Sequence, residues 1–359
     1  MLKKSVLILN RRCIKHPEKG GAEVYTLELA KALIEQGYKV EWFSSMAKGL
    51  NDKEELEGIT FVRKGNELTT HFYGFLYALK KKDCFIVDEF NGMGFFTFFM
   101  KNSVILIHQT YNEFWTSELG LIGYPLKYIE KILLHLYSGK PAITVSDSTY
   151  QDLIKYGFKN IRIIHNGLDI KPLDHVSEKE SALTLIYLGR LKKTKNPEDA
   201  IKAFLLVRNT IKDAKLWIAG DGPLYKPLKE QYKKTDGVFF LGYLNDKEKY
   251  RYLEKAHFLL VPSIREGWGQ VVIQANAMGT PAIGYNVRGL KDSIKDGESG
   301  ILVSNYQSMA SEVIEYWLSK QKYLELAGQA IEWAKKFSWE KTGKEFVAYF
   351  NNMEKYYNN

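Results

Sequence analysis

Cysteine is almost missing from this chain: two residues in 359, Cys13 and Cys84. Two thiols make neither a disulfide framework nor a four-cysteine zinc site, and usage this sparse fits a reducing compartment. Proline is scarce too, nine residues against 28 glycines, which excludes a collagen-like or proline-rich low-complexity chain. Long apolar runs are absent. The most apolar stretch, residues 85–107, is interrupted by Asp88, Glu89, Asn91 and Lys101. It reads as two buried strands with a loop between them, not as a membrane span. The opening Met-Leu-Lys-Lys-Ser-Val-Leu lacks an apolar run with a small-residue cleavage site, so no signal peptide is expected. Missing as well are the dinucleotide fingerprint G-x-G-x-x-G, the P-loop G-x-x-x-x-G-K-[ST], a G-x-S-x-G elbow and any zinc-type His/Cys spacing.

Positive charge is in excess. The chain carries 51 Lys and Arg against 42 Asp and Glu, a net charge of +9, and most of the surplus lies in its second half. There is no polybasic tail. A solvated lysine-rich surface accounts for most of this. A phosphorylated small molecule or a membrane surface fits the remainder, and nucleic acid is not an expected partner.

Short apolar runs alternate with helical periodicities along the whole chain. Strands are expected at 5–10, 39–45, 59–63, 84–88, 104–108, 142–146 and 161–164, with helices at 22–36, 124–136 and 147–156. The polar segment 170–182 interrupts the pattern and reads as a linker. The alternation then restarts, with strands at 183–189, 215–219, 238–242, 258–262, 282–285 and 300–303 and helices at 197–210 and 269–278. The end is helical from about 307 to 356, with a break near 337–339. Alternating strands and helices imply parallel, doubly wound sheets. The expected division is 1–169, a linker at 170–182, 183–337, and a last helix at 338–359.

Ligands of such sheets bind at the carboxyl ends of strands, and the unusual residues lie there. Gly20-Gly21 falls between the first strand and its helix, where glycine admits a ligand to backbone N–H groups; an ordinary turn explains it equally. Arg190 and Lys195 follow the first strand of the second half. A guanidinium and an ammonium together can hold a diphosphate without metal, and a lysine-rich surface loop is the alternative. Glu266, Gly267, Trp268 and Gly269 run straight into a helix. Its N-terminus suits a phosphate and the carboxylate suits sugar hydroxyls, unless Glu266 merely caps the helix. His108 ends a strand, either as a core histidine or as a polar group facing a cleft.

Taken in order, these segments resemble the family 4 glycosyltransferases, retaining enzymes of the GT-B fold. The resemblance runs nearly end to end. It rests on Gly-Gly-Ala-Glu at 20–23, Val-Ser-Asp-Ser-Thr at 145–149 and His-Asn-Gly-Leu-Asp at 165–169. It continues through Gly-Arg-Leu-x-x-x-Lys at 189–195, Ala-Gly-Asp-Gly-Pro at 219–223 and Pro-Ser-x-x-Glu-Gly-Trp-Gly at 262–269. Gly-Thr-Pro-Ala at 279–282 and Phe-Ser-Trp-Glu at 337–340 complete it.

The resemblance implies two Rossmann-like domains facing an interdomain cleft, with the C-terminal helix returning to the first domain. It implies transfer of a hexose from a nucleotide-diphosphate sugar to a glycan or lipid-linked saccharide, with no metal or other cofactor. By position, Arg190 and Lys195 would neutralise the diphosphate, and Glu266 would hold donor-sugar hydroxyls. Gly267, Trp268 and Gly269 would present backbone N–H groups to the sugar, and His108 would contact it near the reacting carbon. Gly21 would approach the phosphate and the acceptor, and Gly222 belongs to the donor-side loops. One position departs: the second acid of the family's E-x7-E motif is Gln274 here. An amide accepts a weaker hydrogen bond than a carboxylate, roughly 1 against 1.5–3 kcal/mol, so altered ribose recognition is expected. Gln274 is also the one feature favouring a non-catalytic nucleotide-sugar-binding protein on the same fold. The expected location is cytoplasmic, with peripheral contact at the inner membrane face suggested by two basic-aromatic stretches, 71–82 and 127–140.

Overall fold

The computed structural model describes residues 4–81 and 83–358. It divides into two compact units, one running to Gly167 and resuming at Ser338, the other Leu168–Phe337.

The first unit is an eight-stranded sheet. Its strands are β1 (Ser5–Leu9), β2 (Lys39–Ser44), β3 (Lys53–Leu56), β4 (Ile59–Arg63), β5 (Phe85–Glu89), β6 (Ser103–Ile107), β7 (Ala142–Thr144) and β8 (Ile161–Ile163). Their order is β3-β4-β2-β1-β5-β6-β7-β8. The central strands are buried from end to end because helices cover both faces, which is why they read as unbroken apolar runs. The helices are α1 (Gly21–Glu35), α2 (Thr70–Leu79), α3 (Glu113–Leu119), α4 (Gly123–Tyr137) and α5 (Asp147–Lys155).

The second unit is a six-stranded parallel sheet of β9 (Thr184–Leu188), β10 (Lys215–Ala219), β11 (Val238–Gly242), β12 (Phe258–Val261), β13 (Ala282–Tyr285) and β14 (Gly300–Val303). The order is β11-β10-β9-β12-β13-β14. Its helices are α6 (Pro197–Thr210), α7 (Tyr225–Tyr232), α8 (Asp246–Lys255), α9 (Gln270–Ala277), α10 (Leu290–Ser293), α11 (Tyr306–Leu318) and α12 (Lys320–Ala334). Leu185, Leu216, Ile218, Leu260 and Ile283 on the sheet pack with Phe204 and Val207 of α6 to form its core.

The last helix, α13 (Trp339–Asn358), belongs to the first unit and packs on α1. Phe350 sets its ring 4.4 Å from that of Phe85 and 5.4 Å from that of Tyr38. The chain re-enters this unit at a tight contact: a Cβ on Gly167 would lie 2.4 Å from the Trp339 nitrogen. Thr342 Oγ1 donates to the His165 carbonyl at 2.9 Å. The motifs at 165–169 and 337–340 therefore share a structural task.

Two expectations are corrected. The first sheet is not wholly parallel: β3, Lys-Glu-Glu-Leu, pairs antiparallel with β4 at the edge. An edge strand needs no apolar run, so the polar sequence concealed it. The terminal helical stretch breaks at Ser319 as well as near 335–338. Segment 170–182, expected as a linker, makes hydrogen bonds of its own. Leu173 N–H donates to the Ala277 carbonyl at 2.9 Å, and Lys179 Nζ donates to the Glu254 and Met278 carbonyls and to Thr280 Oγ1 at 2.9–3.0 Å. These bonds fasten it to the second unit.

Candidate active site

Each sheet has a reversal of strand order among its parallel strands, between β1 and β5 in the first and between β9 and β12 in the second. Crossovers diverge to opposite faces at such a point, which opens a crevice beyond the carboxyl ends of the strands. The predicted residues fall into two groups, one at each reversal.

On the first unit, Asn10 follows β1, Glu89 ends β5 and His108 follows β6. Glu89 is wholly buried. Its Oε2 accepts from Asn10 Nδ2 at 2.7 Å, and its Oε1 accepts from Thr26 Oγ1. Burial pushes this carboxyl up, while the His108 and Thr26 contacts pull it back. His108 Nε2 lies 3.7 Å from Glu89 Oε2, and no hydrogen-bond partner meets that nitrogen among the described residues. The imidazole packs edge-on against the Tyr25 ring at 5.1 Å, and Thr149 Oγ1 donates to the His108 carbonyl at 3.2 Å. Ser146 caps α5 by accepting from Thr149 N–H at 3.3 Å, so the 145–149 motif seats both a helix and the histidine. His108 is thus anchored through its backbone and faces a buried acid.

Asp88 and Glu89 point to opposite faces of the sheet, as strand geometry requires. Asp88 accepts from Tyr137 Oη at 2.5 Å, Thr97 Oγ1 at 2.7 Å and the Phe95 N–H at 3.0 Å on the far side. Gly21 opens α1, and Glu23 closes the turn by accepting from Gly20 N–H at 2.6 Å. A Cβ built on Gly21 would meet nothing within 4 Å among the described residues. Packing does not demand glycine there, so the space beside it is open to a ligand.

On the second unit, Lys195 Nζ forms an ion pair with Glu266 Oε1. Ser263 Oγ donates to the same oxygen at 2.9 Å. Glu266 is therefore a partner of Lys195 and Ser263, not the cap of α9. That helix is opened by Gly269 in the left-handed region, φ +95°. The Glu266 backbone is clamped as well: its N–H donates to the Arg288 carbonyl at 3.2 Å, and a Cβ on Gly289 would lie 2.3 Å from its carbonyl oxygen. Arg190 is exposed beyond β9, its carbonyl accepting from Tyr187 Oη at 3.0 Å. Gly267 sits half-buried in this turn. The Trp268 indole turns inward against Phe337, ring to ring at 5.4 Å, which leaves only its backbone for a ligand. Gly222, at φ +149°, is held by the fold itself, because a Cβ would lie 2.7 Å from the Leu191 carbonyl oxygen.

Gln274 is buried on α9, and its Nε2 donates to Asp169 Oδ1 at 3.4 Å. Tyr250 Oη also donates to Asp169 Oδ1, and Lys249 Nζ lies 3.9 Å from Oδ2. A carboxylate thus remains next to position 274, supplied by Asp169 instead of the side chain at 274. Sequence reasoning missed Asp169, Glu89, Asn10 and Ser263 as site residues. The only local sign of Glu89 was a charged residue closing an apolar strand.

Two family descriptions cover nearly all of the chain: Glycosyltransferase Family 4 over residues 19–171 and Glycosyl transferases group 1 over residues 169–337. Glycogen synthase of Mycobacterium tuberculosis is 32% identical over 155 residues, 42% of this chain and 37% of that protein. The match therefore spans little more than a third of that relative. N-acetyl-alpha-D-glucosaminyl L-malate synthase of Bacillus anthracis is 24% identical over 88% of this chain and 90% of its own. Among solved structures, the Anabaena protein HepE in complex with UDP-glucose superposes with a TM-score of 0.73, at 16% identity over 97% of this chain and 99% of the other. With both family descriptions in register and both sheets in place, the chain belongs to the family 4 glycosyltransferases of the GT-B fold.

Proposed function

We propose that this protein is a retaining, metal-independent glycosyltransferase that moves a hexose from a nucleoside-diphosphate sugar to a glycan or lipid-linked saccharide in the cytoplasm. One observation carries the reading: the Lys195–Glu266 pair at the strand reversal of the second unit, with Arg190 on the same loop. The UDP-glucose held by the similarly folded HepE supports a sugar nucleotide as donor.

The residues suggest the chemistry. Negative charge develops on the diphosphate as the glycosidic bond breaks. Arg190 and Lys195 would neutralise it, which is preorganised electrostatic catalysis and needs no protein nucleophile. Glu266, fixed by Ser263 and Lys195, would accept hydrogen bonds from donor-sugar hydroxyls. By the resemblance His108, which faces the buried Glu89, would contact the donor sugar. The departing phosphate oxygen would help to deprotonate the acceptor, which gives retention of configuration.

The test is a thermal-shift panel with UDP, GDP, ADP and TDP, each with and without EDTA. At about one hundred times its dissociation constant, a nucleotide adds roughly 2.7 kcal/mol of stability. A shift with one nucleotide that EDTA leaves unchanged supports the reading. A shift abolished by EDTA overturns metal independence, and no shift with any nucleotide overturns the donor assignment.

A further inference from the structure

Most of the fold hides its apolar side chains, but one face of the first unit does not. Helix α4 buries Leu133, Leu134 and Tyr137 against Ile105 and Ile107 of the sheet. Its opposite side should be polar, as on a surface helix. Instead Tyr128, Ile129, Ile132 and Leu136 are 42–70% exposed there, spaced three and four apart along one stripe. The turn before the helix extends the stripe with Leu121 at 85% and Ile122 at 76% exposure.

The neighbouring layer repeats the pattern. Leu9 pairs in register with Asp88 and Asp88 with Ile105, so the residues beneath α2 and those beneath α4 lie on one face of the sheet. Helix α2 packs there through Ala78, and turns Phe72, Leu76 and Leu79 outward. Ring contacts from Phe75 to Phe99 at 5.8 Å, Phe99 to Phe98 at 5.6 Å and Phe98 to Tyr137 at 5.5 Å join α2 to α4. The two exposed stripes therefore form one continuous apolar face.

Among the described residues its border is mainly basic, with Asp83 the exposed acid beyond α2. Lys127 and Lys131 lie on α4, and Lys80 and Lys101 border α2 and the 97–99 turn. The sole acid on α4, Glu130, is buried, accepting from the Tyr111 and Asn112 backbone N–H groups at 2.6 and 2.8 Å. Lys82 lies outside the described residues. A second copy of the same face would bring lysine against lysine. A bilayer surface with anionic headgroups offers apolar depth and opposite charge together.

We propose that this face, α4 with the turn before it and the outer side of α2, docks the protein on an anionic lipid bilayer. No helix in the described residues is long and apolar enough to cross a membrane, so the contact is peripheral. The proposal rests on the lipid-linked acceptor in the functional reading and specifies where that acceptor's membrane is met. Tyr124 and Tyr128 would sit at headgroup level, with the aliphatic residues below them.

The test is co-flotation with vesicles of phosphatidylcholine alone and of phosphatidylcholine with roughly a third phosphatidylglycerol, at low and at high salt. Wild type should float with the anionic vesicles only, and less at high salt. Ile129→Glu with Ile132→Glu should weaken partition by about tenfold or more, with melting temperature and nucleotide-induced shift unchanged. Lys131→Glu, a milder variant, should weaken it less and reduce its salt dependence. No flotation at low salt overturns the proposal, as does flotation that both variants leave intact. A sedimenting dimer that the double variant dissolves, with no vesicle binding, replaces it by self-association. Because the nucleotide shift is measured on the same protein, failure to float and failure to bind a donor are read separately.

Discussion

Lys195 and Glu266, 71 residues apart in sequence, form an ion pair across the strand reversal of the second sheet. Each is partly sheltered, with the Lys195 side chain 27% and that of Glu266 12% exposed. An arriving diphosphate would compete for the ammonium, while the carboxylate would stay held by Ser263. The pair therefore keeps both groups in place before the donor binds.

Removing either cation should show in turnover. Lys195→Ala and Arg190→Ala are each expected to lower kcat by about a hundredfold to a thousandfold, in line with loss of one donor to a developing anion. Steady-state kinetics check this. Near-normal kcat in both variants removes the diphosphate clamp.

Gln274→Glu should place a second carboxylate about 3.4 Å from Asp169, at the present contact distance. Like charges that close raise the pKa of one partner, and the folded chain then binds a proton that the unfolded chain releases at neutral pH. The variant should lose about 1 kcal/mol of stability at pH 7, and the deficit should close as pH falls towards the ordinary glutamate range. Melting curves across pH decide it: a variant more stable than wild type at pH 7 refutes the Asp169 contact.

Glu89→Gln keeps the shape and one acceptor for Asn10 but removes the charge facing His108. The melting temperature should hold while kcat falls. Steady-state kinetics beside a melting curve read this. An unchanged kcat would mean that Glu89 serves packing alone.

Gly21→Val tests the open space beside α1. With no atom of the described residues within 4 Å of the added Cβ, the melting temperature should hold while turnover falls. Gly220→Ala is the contrast: its Cβ would lie 1.9 Å from the Gly189 carbonyl oxygen at φ +131°, so the second unit should be strongly destabilised. Full activity in Gly21→Val removes that residue from the site.

Acid should weaken both units. His71 in the first and His257 in the second are buried, and burial pulls each imidazole down from 6.5 to about 4. Between those values the unfolded chain is protonated and the folded chain is not, so stability is full above about pH 6.5 and is lost as pH falls to 4. Each histidine accounts for roughly 3 kcal/mol across that window. Chemical denaturation at pH 7.5 and pH 4.5 checks it, and equal stabilities would contradict it.

The sequence by itself determined the strands, the two-fold restart and the ordered motifs. Buried parallel strands must be apolar throughout, and glycine must stand where φ is positive or backbones meet, so both leave marks on local sequence. β3 left none, because an edge strand needs no apolar run. Tertiary structure alone decided the partners: Glu89 with Asn10, Thr26 and His108, Gln274 with Asp169, and Glu266 with Lys195 and Ser263 in place of the helix N-terminus. It also decided that the 170–182 segment is tied to the second unit and that one side of α4 is left uncovered. Such pairings join residues up to 105 positions apart. Local spacing records the shape of one element, whereas a contact between strand ends depends on how the whole sheet is ordered.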